Sequence, residues 1–427
     1  MDILASLLRD VALPRMVRVR QIFPDDALPD VSRTVREQFR EPAIAERVRA
    51  GMRIAVGVGS RGLADLPLLV SVVVDELKTR GAQPFIVPAM GSHGGATADG
   101  QVAQLAALGV TEASAGCPIV SSMTTVELGV LPNGLAVPMD ETAMQADGIV
   151  VINRIKPHTS FSGPSESGLV KMIAIGLGKQ KGADSCHAAG YAHMAGNILD
   201  MARIKLAKAP ILFGVATVEN ASDRIAKVCL VPAEEIMETD QRLLLEAKGN
   251  MPRINFNPLD VLIIDQMGKE FSGTGMDPNI TGRASTPFIA TKQTVSKMAV
   301  LDLSEATRGN ATGVGLADIC TRRLVDKIDF GTTYANHITA TALAGAKIPM
   351  TMASDRLTIQ AAVKTCNAED AGRLRLVHIR NTLHLDMIRI SEAMLEEAHQ
   401  HPDIVVAGEP EEWKFDSFGN LEEVGAW

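Results

Sequence analysis

The sequence predicts an α/β protein of two domains, each built on a mainly parallel sheet, with a cleft between them. Short apolar runs alternate with amphipathic helical patterns along most of the chain, and this alternation is typical of β-α-β units. The 427 residues also exceed what one hydrophobic core usually organises. A polar segment, KGNMPRINFNPL at 248–259, interrupts the alternation and marks a domain boundary.

We expect an N-terminal α/β domain at 1–252, a C-terminal α/β domain at 258–400, and a tail at 401–427 that packs back on the body through Trp413. The strands expected in the first domain are Met16–Ile22, Met52–Val58, Pro84–Pro88, Gly148–Ile152 and Ile211–Val218, and its helices are Ala43–Ala50, Pro67–Arg80, Asp99–Leu108 and Gly196–Lys208. An Asn133-Gly134 step favours a hairpin within Met123–Met139.

The second domain repeats the alternation. Its expected strands are Asp260–Asp265, Val295–Leu303, Leu374–Ile379 and Met387–Ile390, and its helices are Leu316–Asp326, Ala335–Leu343, Asp355–Thr365 and Glu392–His399.

Composition excludes several classes of function. A net charge of −8 disfavours a nucleic-acid or anionic-membrane surface, and 4% aromatic residues leave little for stacking on bases. No run of about 18 apolar residues is present, so we expect no membrane span. The N-terminal segment has no uninterrupted apolar region typical of a secretory signal. Five scattered cysteines, with no CxxC pair, indicate reduced thiols and a cytoplasmic protein.

Three loops with glycine and polar residues each follow an expected strand: Gly57–Gly62, Ala89–Thr97 and Arg154–Gly168. In a parallel sheet such loops share the edge where α/β proteins bind ligands. We therefore expect Arg61, His93 and His158 to converge on one crevice. Two neutral histidines facing one cavity suit proton transfer near pH 7.

Lys171 lies in an apolar helical turn of sequence LVKMI. An unpaired buried charge is costly, so Lys171 either extends to water or its amine is neutralised or used chemically. His187 and His193 lack the i, i+4 spacing of a helical metal pair, and the chain has no HExxH motif. His187 fits a single metal ligand if a cofactor completes the coordination.

Two further groups are candidates for ligand binding. Ser165, Ser167 and Gly168 precede the helix of Lys171, where side chains and helix amides suit a phosphate, although a plain loop is equally open. Gln266 and Lys269 follow the expected strand Asp260–Asp265. Lys269 is then either a solvated lysine or, with Arg61, a clamp on a substrate carboxylate.

In its order of functional side chains the chain resembles the nickel-pincer lactate racemase family. The residues that carry this resemblance are His93, His158, Lys171, His187, Gln266 and Lys269. The spacing is specific, because the lysine lies 13 residues after the second histidine and 16 residues before the third.

The resemblance implies an isomerase with an interdomain active-site cleft. Lys171 would carry a covalently tethered nickel-pincer nucleotide, and His187 would bind its nickel. Ser165, Ser167 and Gly168 would hold its phosphate. His93 and His158 would be the acid/base pair, while hydride moves reversibly between the substrate carbon and the pincer. Arg61, Gln266 and Lys269 would orient a 2-hydroxy acid.

The resemblance leaves the substrate open among lactate, another short 2-hydroxy acid and a sugar acid. The chain differs from lactate racemases at Gly59-Ser60-Arg61-Gly62 and at Ser167-Gly168-Leu169-Val170, which Glu166 precedes, so a different or larger 2-hydroxy acid is as plausible as lactate. Two other functions stay open: a non-catalytic protein that binds the cofactor or a carboxylate, and an oxidoreductase or lyase with a diffusible nucleotide. The absence of a GxGxxG motif disfavours the last of these.

Overall fold

The computed structural model describes residues 3–422. Its strands, in chain order, are β1 (Met16–Gln21), β2 (Arg53–Val58), β3 (Gln83–Pro88), β4 (Thr125–Val130), β5 (Ala136–Asp140), β6 (Gly148–Arg154), β7 (Ile211–Glu219), β8 (Ile225–Pro232), β9 (Leu259–Met267), β10 (Val295–Leu303), β11 (Ile319–Thr321), β12 (Met350–Met352), β13 (Leu376–Ile379), β14 (Met387–Ser391) and β15 (Ile404–Val406).

The α-helices of the same residues are α1 (Ile3–Leu8), α2 (Val31–Phe39), α3 (Pro42–Ala45), α4 (Leu66–Thr79), α5 (Ala98–Ala107), α6 (Glu112–Ala115), α7 (Glu141–Met144), α8 (Leu169–Ala174), α9 (Lys179–Ala188), α10 (Tyr191–Lys208), α11 (Ile236–Asn250), α12 (Pro278–Thr281), α13 (Arg322–Asp326), α14 (Phe330–Thr339), α15 (Asp355–Thr365) and α16 (Leu395–Gln400).

The chain forms two compact units. The N-terminal unit runs from Pro24 to Met251, and the C-terminal unit combines the segment up to Phe23 with the chain from Pro252 onward. The N-terminal unit contains a five-stranded sheet in the order β3-β2-β6-β7-β8, in which only the β7–β8 pair is antiparallel. The β4–β5 hairpin forms around the expected Asn133-Gly134 turn.

The C-terminal unit contains an eight-stranded sheet in the order β12-β11-β10-β9-β13-β14-β1-β15. The pairs from β12 to β13 are parallel, and the three pairs from β13 to β15 are antiparallel. The α/β class with mainly parallel sheets is thereby confirmed. The active-site cleft expected between the two domains stays a prediction.

The five-stranded sheet is buried on both faces, as the continuous apolar runs in its strands predict. In β2, Ile54 and Val56 belong to one hydrophobic core and Ala55 to the other. In β6, Val150 belongs to the first core and Val151 to the second. Because successive side chains of a strand point to opposite faces, the sheet separates two helical layers and holds its strand ends rigidly.

Some expected elements differ from the structure. The strand expected at Met16–Ile22 forms, but it pairs antiparallel with β14 and β15, so residues 3–23 lie in the C-terminal unit and not with the N-terminal sheet. The helix expected at Leu316–Asp326 is wrong in its first half, because Ile319–Thr321 is a parallel strand between β10 and β12. The helix expected at Ala43–Ala50 is limited to the four residues of α3.

Trp413 connects the tail to the segment before β1. Its indole Nε1 donates a hydrogen bond to the Pro14 carbonyl at 3.0 Å, and its ring lies 5.2 Å from the His378 ring, centroid to centroid. Within residues 3–422, no helix combines the length and the apolar composition that crossing a membrane requires.

Candidate functional site

Three loops of the N-terminal unit leave the same edge of its sheet, because β2, β3 and β6 are parallel neighbours. Ser60 and Arg61 follow β2, His93 follows β3, and His158 follows β6. This edge is the one at which open α/β sheets bind ligands.

Helix α8, which carries Lys171, lies against two of these loops. A Cβ atom built on Gly59 would lie 2.9 Å from Met172 Cε, so only glycine leaves room for the helix without a shift of that side chain. In the loop after β3, the Gly91 amide donates a hydrogen bond to the Gly176 carbonyl just beyond α8. The helix is therefore packed at the sheet edge with the loops that carry the candidate residues.

Lys171 is partly buried, whereas the other five residues of α8 are buried. Its amine has no hydrogen-bond or ion-pair partner within residues 3–422. Desolvation by burial, followed by the positive charge of Arg61, lowers the pKa of Lys171 to about 8. At a pKa of about 8, roughly a tenth of the amine is unprotonated at pH 7, and this fraction is available as a nucleophile.

Arg61 is exposed to solvent, yet its pKa is lowered from the ordinary value. The main cause is desolvation by the surrounding protein, and the second is the positive charge of Arg154. Arg154 itself is paired with Glu219, whereas Arg61 has no carboxylate partner among the described residues. Arg61 is thus a solvent-exposed positive charge without a carboxylate partner among the described residues.

The pKa of His158 is affected by its burial and by Lys171, His187 and Arg61. Burial lowers its pKa well below the usual value, and the charges of Lys171, His187 and Arg61 add to the effect. Its ring packs on the buried Phe161 with 4.3 Å between ring centroids. His158 is consequently neutral at pH 7 and fixed in position.

His187, at the end of α9, is partly buried, and its pKa is lowered first by burial and then by the charge of Lys171. The Tyr191 ring meets it edge-on, with 5.8 Å between centroids. A neutral imidazole of this kind is a competent metal ligand. No group of three or more His, Cys, Asp or Glu side chains within residues 3–422 is arranged to hold a metal ion, so a metal here would need ligands from outside the chain.

His93 is exposed on the neighbouring loop, and its Nδ1 is hydrogen-bonded to the Ser60 hydroxyl. Ser60 directly precedes Arg61, so the first and second loops are joined at this contact. Gln101 stabilises the loop from below, because its amide donates to the Gly91 and His93 carbonyls.

The residues proposed to hold a phosphate need correction. The Asp240 carboxylate of α11 already occupies the start of α8, where it accepts a hydrogen bond from the Val170 amide at 3.2 Å. A Cβ atom on Gly168 would lie 2.3 Å from Asp240 Oδ2. Ser165 is fully buried beside the same carboxylate, and its hydroxyl opposes the rise in the pKa of Asp240.

A phosphate at this helix start would meet the negative charge of Asp240. Ser167 is partly exposed, but its backbone pairs with Lys156 in an isolated bridge. Ser165, Ser167 and Gly168 therefore shape the loop and the helix start, and the geometry does not favour them as phosphate ligands.

Gln266 and Lys269 lie in the C-terminal unit, at and after the end of β9. Both are partly exposed, and the Lys269 amine donates a hydrogen bond to the Asn336 side-chain carbonyl. Their proposed contact with the substrate stays a prediction.

Sequence reasoning missed the helix that supports the site, α11. It supplies Asp240 to the start of α8, and it supplies Lys248, whose amine lies 2.7 Å from a carboxylate oxygen of the buried Glu166. Glu166 in turn accepts hydrogen bonds from the His158 and Gly163 amides. The apolar spacing of Ile236, Leu243 and Ala247 was the available indication of this helix.

The fold and this group of residues define an α/β protein with basic side chains gathered at the carboxyl ends of parallel strands. Residues 9–197 match the family model described as the lactate racemase N-terminal domain. The resemblance seen in the sequence is thereby confirmed for the segment that contains His93, His158, Lys171 and His187.

Solved structures similar to the chain include the following two. A crystal structure of a Thermotoga maritima protein shares 13% identity and covers 76% of this chain and 83% of its own, with a TM-score of 0.48. The lactate racemase apoprotein of Thermoanaerobacterium thermosaccharolyticum shares 15% identity and covers 79% and 87%, with a TM-score of 0.45. No curated protein sequence matches the chain.

Proposed function

We propose that this protein is a racemase or epimerase of a 2-hydroxy acid. The observation that carries the proposal is the partly buried, unpaired amine of Lys171, which is close enough to Arg61, His158 and His187 for their charges to affect one another. The positive charges of Lys171 and Arg61 attract an anion. The family of residues 9–197 supports an isomerase over other enzyme classes.

The described residues fit a nickel-pincer nucleotide at two points. Lys171 has the lowered pKa that forming an amide-type bond to the cofactor needs, and that bond would remove its charge from the apolar helix. His187 supplies one neutral imidazole, which suffices when the cofactor brings the other nickel ligands. When bound, this cofactor supplies reversible acceptance of a hydride from the substrate carbon.

The side chains of this protein perform the remaining tasks. Arg61 offers a guanidinium for the substrate carboxylate, and Gln266 and Lys269 are proposed to complete its orientation. His93 and His158 are the proposed acid/base pair, which removes and returns the proton of the substrate hydroxyl. The same desolvation that lowers the pKa values of Lys171 and His158 strengthens each of these electrostatic interactions.

The test begins with protein produced together with the enzymes that make the cofactor. We expect nearly stoichiometric nickel and a mass increase on the peptide that contains Lys171. The matched variants are Lys171→Arg, which keeps the charge but forms no such bond, and Lys181→Arg at an exposed position of α9. Nickel and added mass should disappear in the first variant alone.

Activity is then measured as loss of optical rotation with a panel of single-enantiomer 2-hydroxy acids. We expect at least one acid to racemise or epimerise and His93→Ala to abolish most of that activity. A loaded protein that changes none of these acids, or one whose His93→Ala variant is fully active, contradicts the proposal and favours a binding protein.

A further inference from the structure

Lys179 is the first residue of α9, and its side chain is fully buried among three other segments. Its amine lies 2.8 Å from Asp140 Oδ2 at the end of β5. The same amine donates a hydrogen bond to the Pro88 carbonyl at the end of β3, at 2.6 Å, and another to Gln101 Oε1 in α5, at 3.3 Å. An ammonium group has three N–H donors, and these oxygens supply three acceptors. Lys179 therefore ties the start of α9 to the end of β3 and to α5.

The contact with Lys179 sets the direction of the Gln101 side-chain amide. An ammonium group can only donate, so the amide must present its oxygen to Lys179. The amide nitrogen is then left for the His93 loop, where it donates to the Gly91 carbonyl at 2.8 Å and to the His93 carbonyl at 3.3 Å. Gln101 is itself fully buried. Two buried side chains thus connect the start of α9 with the backbone of His93.

The backbone of Lys179 is strained. Its φ is 55° and its ψ is −157°, a conformation that suits glycine because glycine has no Cβ atom. A non-glycine residue keeps such a conformation only where the surrounding contacts outweigh its cost, and such residues cluster at functional sites. Glycine at position 179 would avoid the strain but would lose all three contacts of the amine. The contacts of the Lys179 side chain therefore outweigh the conformational cost of its backbone.

The same residue is connected to the proposed nickel ligand. His187 belongs to the last turn of α9, and Lys179 begins that helix. The backbone dihedral angles of Lys179 set the direction in which α9 starts, and the helix carries His187 about 12 Å further along its axis. The loop of His93 and the helix of His187 therefore share one attachment point.

We propose that Lys179 and Gln101 are positioning residues, which hold His93 through the backbone of its loop and fix that loop relative to the helix of His187. This role rests on the proposed function, in which His93 and His158 are the acid/base pair. Both positioning residues are fully buried, so neither is placed to contact the substrate. Proton transfer requires the imidazole within hydrogen-bond reach of the substrate hydroxyl. A small displacement of His93 should therefore slow the reaction while cofactor and substrate still bind.

The first test is Gln101→Met in the loaded enzyme, since methionine keeps most of the volume and removes the amide. We expect kcat per bound nickel to fall roughly ten- to hundredfold, with KM, nickel content and the added mass on the Lys171 peptide unchanged. Gln38→Met is the matched control, because the Gln38 amide also makes two hydrogen bonds with backbone, but to β8 at the opposite edge of the sheet. It should leave kcat unchanged. An unaltered kcat per nickel in Gln101→Met overturns the proposal.

Lys179 is tested together with Asp140, because removal of both charges leaves no lone buried carboxylate. The double variant Lys179→Met with Asp140→Asn should lower kcat per nickel at least as much as Gln101→Met does. It should also contain less nickel, and full nickel content would overturn the link to His187. Addition of Gln101→Met to the double variant should lower kcat by less than about twofold further, because both changes break one connection. Multiplication of the two losses would show that Lys179 does not act through Gln101.

Hydrogen exchange of the full chain without cofactor separates this inference from the proposed function. In Gln101→Met, the backbone amides of residues 89–97 should exchange at least about fivefold faster than in the unaltered protein. In Gln38→Met they should exchange at the unaltered rate. Unchanged exchange of residues 89–97 in Gln101→Met overturns the inference even if the enzyme racemises a 2-hydroxy acid. If the unaltered loaded enzyme converts no such acid, the proposed function fails, and the exchange rates still decide whether Gln101 holds the His93 loop.

Discussion

The Tyr191 ring stands edge-on to the His187 imidazole, while its hydroxyl is hydrogen-bonded to Ser160. One side chain of α10 therefore supports the proposed nickel ligand and Ser160, whose amide donates a hydrogen bond to His158 Nδ1 at 3.0 Å. Tyr191→Phe keeps the ring and removes only the hydroxyl. We expect a loss of about 1 kcal/mol in stability, a few-fold lower kcat, and unchanged nickel content.

Tyr191→Ala is the matched control, since it also removes the ring beside His187. Nickel content measured on both variants separates the two contacts of Tyr191. Loss of nickel from the phenylalanine variant would show that the hydroxyl, and not the ring, supports His187.

Glu166 holds the His158 loop through three donors: the amides of His158 and Gly163, and the amine of Lys248. Its carboxylate is buried, whereas the Lys248 side chain is 40% exposed. Glu166→Ala leaves amides without an acceptor and should cost about 2–4 kcal/mol. Lys248→Met should cost under about 1 kcal/mol, because a half-exposed ion pair contributes little.

Urea denaturation of the two variants checks this order. Equal losses would mean that the ion pair, and not the hydrogen bonds donated by the backbone amides, gives Glu166 its importance.

Much of the site was predictable because a parallel sheet places the ends of its strands at one edge. Glycine-containing loops after the apolar runs of β2, β3 and β6 located Arg61, His93 and His158. Lys171 was conspicuous as the one cation in an apolar turn. Each of these patterns can be read from a short stretch of sequence, and the parallel sheet alone brings the residues concerned close together.

The rest depended on contacts between distant segments. The alternation in Met16–Ile22 predicts a strand but does not specify its partners, and the strand joined β14 and β15. The 316–326 segment has helical composition, yet pairing of Ile319 and Cys320 with neighbours on both sides made its first half a strand. The sequence predicts a phosphate at Ser165 and Gly168 because nothing local reveals that Asp240, some 70 residues later, fills the helix start.

Lys179 and Asp140 form an ion pair beneath the His93 loop, with both side chains fully buried and 2.8 Å between Nζ and Oδ2. Lys179 also donates to the Pro88 carbonyl at the end of β3. Lys179→Met leaves a buried, uncompensated carboxylate and should cost about 3–5 kcal/mol.

The double variant Lys179→Met with Asp140→Asn removes both charges and keeps an acceptor for the Ala143 amide. We expect it to be more stable than the single Lys179→Met variant. Chemical denaturation of the complete double-mutant cycle measures the coupling, and simple addition of the two single losses would show that the pair is not coupled.

Asp240 gives the protein a pH dependence of stability whose sign follows from its burial. Desolvation raises the pKa of this carboxyl from 3.8 to about 6, against the opposing effect of the Val170 and Leu169 amides and the Ser165 hydroxyl. Between these two values the folded state binds more protons than the unfolded state. The stability contributed by the protonated form is therefore complete below about pH 4 and is lost as the pH rises through about 6.

A shift of about two units corresponds to about 3 kcal/mol. Asp240→Asn stays neutral at every pH and keeps an oxygen acceptor for Val170. The difference in unfolding free energy between this variant and the unaltered protein should increase by about 2–3 kcal/mol in favour of the variant as the pH rises from 4 to 7.5. Urea unfolding across that range measures this difference. Glu238→Gln, at an exposed position of the same helix, is the control and should leave the pH profile unchanged. A constant difference between Asp240→Asn and the unaltered protein at all pH values would mean that Asp240 ionises in the folded state as freely as in the unfolded chain.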